Sequence, residues 1–403
     1  MLTNVLSDWL LAFALDRYGA VLAGKLVAAA AVLIFFWGSF GTLAALSRRR
    51  PYFLLPWIAL LAYGWVFHMG FLNFYLSVGL SLLALALGWS REFPGPWKLR
   101  LAGSGALLLL GTVANPIGPL WAIGMLTYRF AWERWANHRV ALAAFSVIAV
   151  IVLRIALEIR YQAIWNRNQL HLISGADQVL VFGVEYRIVF VLVLAISAWI
   201  VFTPRSFSNS FAKHAYVISA CAVGILPEAL ILSPDGAEHI AYLAGRLSLF
   251  AAFLGVAVLA AYEPSRAMTT AIAGVAVLGF LFIYKDSSRL NRLEAEAESI
   301  IRQLPQGARV VTPLAWEGYS RNPWLSHTIE RACIGHCFSF DNYEAASRVF
   351  RVRAKPGNTL VRWTSAIPPS VQYFSTGSQA PLFQIAWCRQ DAYRLCFERL
   401  QPE

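Results

Sequence analysis

The stretch WVFHMGFLNFYLSVGL, Trp65 to Leu80, sets His68 and Asn73 into a run of apolar residues that extends from Tyr52 to Trp89. One helix over that whole run would be far longer than a bilayer requires, because about 30 Å of hydrocarbon takes roughly 20 residues. Basic clusters stand on both sides, SRRRP at 47–51 and REFPGPWKLR at 91–100. Lys and Arg beside a span mark its cytoplasmic end, and two cytoplasmic flanks demand an even number of crossings. The run therefore reads as a helical hairpin over 52–67 and 71–89, turning at His68-Met69-Gly70 on the outer side. His68 and Asn73 then lie at an interface, where a histidine can bond exposed carbonyls and an asparagine can cap the returning helix.

The rest of the chain supports a membrane reading. Its 403 residues are 58% hydrophobic and 14% charged, with a mean hydropathy of +0.55, well away from the balance of soluble domains. The formal charge of +12 would suggest nucleic acid in a soluble chain; here the basic residues lie beside spans and serve as topology determinants, so no nucleic-acid partner is expected. Further basic gaps at 128–139 and 203–214 are also placed in the cytoplasm. Residues 101–131 split like the first hairpin, since their centre, NPIGP at 115–119, holds two helix-breaking prolines and a glycine. Each half is short, about 14 residues or ~21 Å.

The remaining spans read 140–158, 188–203, 214–232, 247–262 and 267–284. With a first span over 25–46, KLVAAAAVLIFFWGSFGTLAAL, the expected fold class is a polytopic all-α membrane bundle of about ten transmembrane helices with a small C-terminal α+β extracytoplasmic domain. The divisions are an outer-face amphipathic segment at 1–24, the bundle at 25–284 and the outer domain at 285–403. No basic n-region of a secretory signal precedes the first span, which is expected to act as its own insertion signal in a plasma membrane, the inner membrane in a bacterium. The outer domain begins with a solvated amphipathic helix, KDSSRLNRLEAEAESIIRQL, followed by β-like runs at RVFRVRA, NTLVRW, APLFQIAW and YRLCFERL.

Cysteine usage agrees with that orientation. Cys221 is alone in a span, whereas Cys333, Cys337, Cys388 and Cys396 all fall in the C-terminal segment, an even count suited to disulfides in an oxidising compartment. Three pairings exist, and Cys333 with Cys337 and Cys388 with Cys396 are nearest in sequence. A zinc site using these cysteines and His336 is the alternative, although CIGHC lacks the two-residue spacing of a zinc knuckle. No other metal ligand set is visible and no cofactor is expected, while a divalent cation stays open.

Ionisable groups in or beside spans are expensive to insert, which makes each a candidate. On the outer side stand Arg187, at the start of a span, and Glu228 in GILPEALIL, a carboxylate beside a proline. The densest set is DGAEHIAYLAGR at 235–246. There Asp235 or Glu238 could accept the proton of an acceptor hydroxyl, with His239 alongside, and Arg246 could hold a phosphate diester. An ordinary polar loop with an interfacial arginine explains the same residues. No Walker loop, paired CxxC, HExxH or nucleophile elbow occurs.

With its many spans, the basic-flanked hairpin FHMGFLNFYLSVGLSLLALAL, the arginine of AGRLSLFAAFLGV opening a late span, and LPQGARVV leading into an outer α/β domain, the chain resembles the GT-C superfamily of membrane glycosyltransferases, in particular bacterial protein-mannosyltransferase-like members. The resemblance implies transfer of a sugar from a polyprenyl-phosphate carrier to an acceptor on the outer face, with membrane lipid and the lipid-linked sugar as partners. It also implies an acidic catalytic residue in a first outer loop behind an initial span. The sequence departs here, opening with what looks like the tail of that loop, so Asp8 or Asp16 has to serve unless the chain is non-catalytic; Asp8 is the residue carried over, and Arg246 is carried over as the phosphate ligand. A membrane-anchored receptor or assembly protein and a carrier of lipid-linked substrates are the competing readings. The carrier should show matched inverted halves around broken helices, and none surrounds NPIGP or GILPEA.

Overall fold

The computed structural model describes residues 4–47, 50–89, 96–203, 210–232, 239–312, 328–333, 336–339, 343–344, 349–350, 381–388 and 391–400. The elements in chain order are α1 (Leu6–Ser47), α2 (Leu55–Ala62), α3 (Trp65–His68), α4 (Leu72–Trp89), α5 (Trp97–Ala114), α6 (Ile117–Arg134), α7 (Arg139–Arg160), β1 (Gln162–Ile164), α8 (Tyr186–Phe202) and α9 (Ser210–Ile225). They continue with β2 (Ala229–Ile231), β3 (His239–Ile240), α10 (Leu243–Leu259), α11 (Arg266–Gln303), β4 (Arg309–Val311), α12 (Thr328–Cys333), β5 (Phe338–Ser339), β6 (Tyr343–Glu344), β7 (Val349–Phe350), β8 (Leu382–Cys388) and β9 (Asp391–Leu400). Two compact units divide them. The first comprises Met1–Val181, Glu185–Ala229 and Ala241–Phe280, the second Phe182–Val184, Leu230–Ile240 and Leu281–Glu403.

The first unit is helical. Among the described residues four helical segments are long and apolar enough to cross a membrane, at Leu22–Ser47, Leu72–Trp89, Ala136–Arg160 and Arg266–Gln303, and shorter apolar helices lie at Tyr52–His68, Tyr186–Phe202, Phe211–Ile225 and Leu243–Leu259. The middle of the first unit is α4, buried along most of its length. Glycines let its backbone close on α1: a Cβ at Gly38 would lie 2.7 Å from the Gly79 carbonyl, and one at Gly79 would lie 2.9 Å from the Phe35 nitrogen. Thr42 uses that proximity, its Oγ1 lying 2.9 Å from the Gly38 carbonyl and 2.6 Å from the Leu82 carbonyl across the interface. Small residues at a crossing and a hydroxyl spanning it are the usual glue between helices in lipid.

The hairpin at 52–89 is present, but its first arm is not one helix. Chain reversal occurs at Met69-Gly70, where Gly70 takes φ 73° and its N–H bonds the Phe67 carbonyl at 3.0 Å. The first arm breaks at Gly64, which is extended between α2 and α3. The NPIGP stretch also divides as expected, into two 18-residue helices that are longer than the two halves expected from the sequence. Asn115 secures the joint: its Oδ1 accepts the Ile117 N–H at 3.1 Å, and its carbonyl accepts the Ser77 hydroxyl at 2.5 Å.

In α1 two helices meet at a kink at Gly19 (φ 74°, ψ 165°), inside the segment expected over 1–24. Two expected boundaries move. The span expected over 214–232 ends as a helix at Ile225, before Pro227, and continues as β2. The span at 267–284 and the amphipathic helix expected after it are one 38-residue helix, α11; no proline or glycine cluster separates them.

In the second unit the C-terminal half of α11 contributes Leu293, Ala297, Ile300 and Ile301 to a core completed by Val310 of β4, Ile329 of α12 and Phe383 and Ile385 of β8. The main sheet has the order β5-β4-β8-β9, with β4 parallel to both β5 and β8 and β8 antiparallel to β9. Arg331 of α12 pairs with Glu294 and, at 3.7 Å, with Glu298 of α11. β6 and β7 form a separate antiparallel pair, and β2 is antiparallel to β3, with Leu230 opposite Ile240. Of the β-like runs, RVFRVRA is met by the short β7, and NTLVRW lies outside the described residues.

Both nearest-neighbour disulfides are formed, Cys333–Cys337 and Cys388–Cys396. The second cross-links the β8–β9 hairpin beside an irregularity at Trp387/Cys388. The zinc alternative is thereby displaced: the sulfurs bond each other, and His336 Nε2 is engaged 2.8 Å from the Leu304 carbonyl.

Candidate functional site

The start of α10 brings together an arginine, a carboxylate and three aromatic rings of the first unit. Tyr242, in the left-handed region at φ 57°, precedes the helix, and Arg246 stands inside its first turn rather than at the end of a loop. The Arg246 guanidinium carbon lies 4.0 Å from the centroid of the Phe71 ring, a contact in which the ring quadrupole attracts the cation. Phe71 packs edge-on or tilted against Trp65 and Tyr242, with centroids 6.0 and 5.9 Å away, and Trp65 meets Tyr242 at 6.1 Å. Arg246 Nε is buried without a hydrogen bond. An arginine in this setting keeps its charge and its forked donors while its stem packs on apolar walls.

Glu228 is tied to the same helix start. Its Oε2 accepts the Ala244 N–H at 3.2 Å, its carbonyl accepts the Leu243 N–H at 2.9 Å, and its own N–H bonds the Ile164 carbonyl at 2.8 Å. A carboxylate on the first-turn N–H groups satisfies orphan donors and complements the helix dipole. Its charge also reaches Arg246. Glu228 therefore positions α10, and through it Arg246, as well as supplying negative charge.

A buried network braces this arrangement from below. Gln178 Oε1 accepts the Val66 N–H at 3.3 Å, and its Nε2 donates to the Gly245 carbonyl at 3.1 Å and to Ser248 Oγ at 2.7 Å. Ser248 Oγ lies 3.0 Å from Asp177 Oδ2. Asp177, Gln178 and Ser248 are all fully enclosed, at 1% exposure or less. This explains the break at Gly64: a free N–H at the start of α3 is what Gln178 fills, and a Cβ at Gly64 would lie 3.2 Å from the Gln178 carbonyl. The preceding turn is equally tight, since Gly175 (φ 73°) places its α-carbon so close to α10 that a Cβ would lie 2.1 Å from the Ala252 nitrogen.

The residues singled out from the sequence fall into separate places. Arg246 and Glu228 are brought together at the start of α10. His68 ends α3, half-buried, with its ring edge-on to Phe67 at 5.3 Å. Asn73 is used structurally: its Oδ1 accepts the Ser7 N–H at 2.7 Å and its Nδ2 donates to the Asn4 carbonyl at 2.9 Å. Asp8 is exposed in the first turn of α1, where a carboxylate suits the helix dipole. Arg187 is exposed in the first turn of α8. Asp235 and Glu238 lie outside the described residues, and of His239 only the backbone is described, paired with Ile231. Among the described residues no group of three or more His, Cys, Asp or Glu side chains is placed to hold a metal ion.

Sequence reasoning missed the aromatic walls and Gln178. Trp65, Phe71 and Tyr242 are ordinary members of apolar runs, and nothing in their spacing predicts that they meet. Gln178 carried a signal that was available, a DQ pair at the head of the apolar run VLVF, since such polar groups are buried only when bonded. Comparison with protein-family models, with curated proteins and with solved structures returned no match.

Proposed function

We propose that the chain is an integral membrane glycosyltransferase of the GT-C type, which moves a sugar from a polyprenyl-phosphate carrier to an acceptor at the outer face of a plasma membrane. In this reading about ten segments cross the bilayer, the shorter apolar helices among them, and the second unit is extracytoplasmic. The observation that carries it is Arg246: a guanidinium set on an aromatic wall at the start of an apolar helix. Such a group can hold a lipid phosphate and stabilise the charge that develops on it as the sugar leaves. The proton of the acceptor hydroxyl needs a carboxylate base; Asp235, Glu238 and Asp8 are the candidates, and Glu228, engaged with α10, is the positioning residue.

The test is sugar transfer in membranes supplied with a labelled lipid-linked sugar. Removing one preorganised donor to developing charge typically costs about 10²–10³ in kcat, so Arg246→Ala is expected to lower transfer by that order, with Arg246→Lys retaining part of it. Transfer unchanged in Arg246→Ala would overturn the assignment. A second reading, a membrane-anchored binding or assembly protein, is favoured by the second unit, which has its own core and both disulfides; under it Arg246→Ala leaves partner binding intact.

A further inference from the structure

A cavity of about 200 Å³ lies in the first unit, on the other side of the segment that carries Gln178. α2 supplies Trp57 and Leu61 to its wall, α8 supplies Val193 and Ser197, and α10 supplies Gly255 and Val256, while the 174–179 segment closes one side. Hydroxyls at this wall are engaged locally: Ser197 donates to the Val193 carbonyl at 2.7 Å, Tyr216 donates to the Ser174 carbonyl at 3.3 Å, and Ser174 Oγ accepts the Ala176 N–H at 3.3 Å. The Gln178 amide is likewise committed to Val66, Gly245 and Ser248. An occupant therefore meets mainly apolar surface, with the Trp57 indole N–H, buried without a hydrogen bond, as a donor at this wall. A buried water needs about 2–4 polar partners, so a wall this apolar favours hydrocarbon.

The cavity also reaches the perimeter of the unit. Leu194 and Val201 of α8 line it and are 39% and 38% exposed. Resting on the membrane reading above, that perimeter faces acyl chains, and a lateral opening there admits them without passage through water. We infer that the cavity takes an acyl chain of a bilayer phospholipid. The chain then packs against the turn at Ser174–Ala176, whose neighbours Asp177 and Gln178 hold the first turns of α3 and α10. Membrane lipid thus becomes part of what supports the Arg246 site.

Photolabelling of the full-length protein in phosphatidylethanolamine nanodiscs tests this, with a diazirine on the acyl chain of the probe lipid. Adducts are expected on Leu61 and Leu259, which are sealed from the perimeter at 6% and 4% exposure, as well as on Val140 and Phe145 of α7, which are 76% and 68% exposed. Filling the cavity by Ser197→Phe, or independently by Val193→Phe, is expected to abolish the enclosed adducts and leave those on α7 unchanged. Labelling of α7 without labelling of Leu61 or Leu259 in the unsubstituted protein overturns the inference, as do enclosed adducts that persist in both filled variants. Competition by unlabelled polyprenyl phosphate at low mole fraction overturns it too, by naming the carrier's tail as the occupant. Absence of label from α7 would instead strike the membrane reading, so the two failures are distinguishable.

Discussion

Asn73 and Arg246 show how differently two polar residues in apolar surroundings are employed. Asn73 acts as a cap supplied from a distant part of the chain: Ser7 carries one of the orphan N–H groups at the start of α1, and Asn73 accepts it while bonding the Asn4 carbonyl. Asn73→Ala is expected to cost about 1 kcal/mol, the usual worth of a capping side chain, with transfer per folded molecule unchanged. A thermal melt in detergent beside the transfer assay checks both halves of that statement. Arg246 bonds through its charge to a ring and keeps a buried Nε without a hydrogen bond. Its substitution is expected to appear in catalysis far more than in stability, the reverse of Asn73.

At the scale of elements, the decisive feature is the interrupted arm α2–α3. A continuous helix would have left no gap for Gln178, and the 174–179 segment would have had no place to dock. Replacing Gln178 by Leu removes its bonds to Val66, Gly245 and Ser248 and strands the buried Val66 N–H, while the Gly245 carbonyl keeps the Ser248 hydroxyl. Leaving buried polar groups unsatisfied costs about 1–3 kcal/mol each. The expected outcome for Gln178→Leu is therefore a lowered melting temperature together with reduced transfer, because α10 is released at the turn that holds Arg246. Full activity in Gln178→Leu at temperatures where the protein stays folded would show that Arg246 does not need this brace.

At the scale of the whole molecule, the two units rely on different sources of stability. The helical unit depends on close helix contacts, such as Gly38 against Gly79. The second unit is a small sheet against part of α11, with a core of limited size for which cross-links matter. Cys396→Ser opens the β8–β9 staple and is expected to lower the stability of that unit by about 2 kcal/mol, the low end for a disulfide closing a short loop. Denaturant titration followed by protection of β9 from protease is the measurement. The orientation assigned to the chain is tested separately: a reporter that works only outside the cytoplasm, fused after Asp286, is expected to be active, and inactivity would overturn the even number of crossings.

Much of this was legible in the residues because the formation of apolar helices and their breaks is a local property. Apolar length, flanking Arg and Lys, and the breakers Gly70 and Pro116 announce helices and turns without reference to the rest of the fold, and Cys pairs four and eight residues apart could find each other by proximity. The residues alone announce the helical hairpin at 52–89, the division at NPIGP and the C-terminal sheet region. Long-range packing breaks the first arm at Gly64, brings Asn73 to α1, and sets Phe71 and Tyr242 beside Arg246. Those outcomes depend on partners distant in the chain, 66 residues apart for Ser7 and Asn73 and 112 for Val66 and Gln178, and long-range satisfaction of a buried polar group leaves no periodicity in the chain that supplies it.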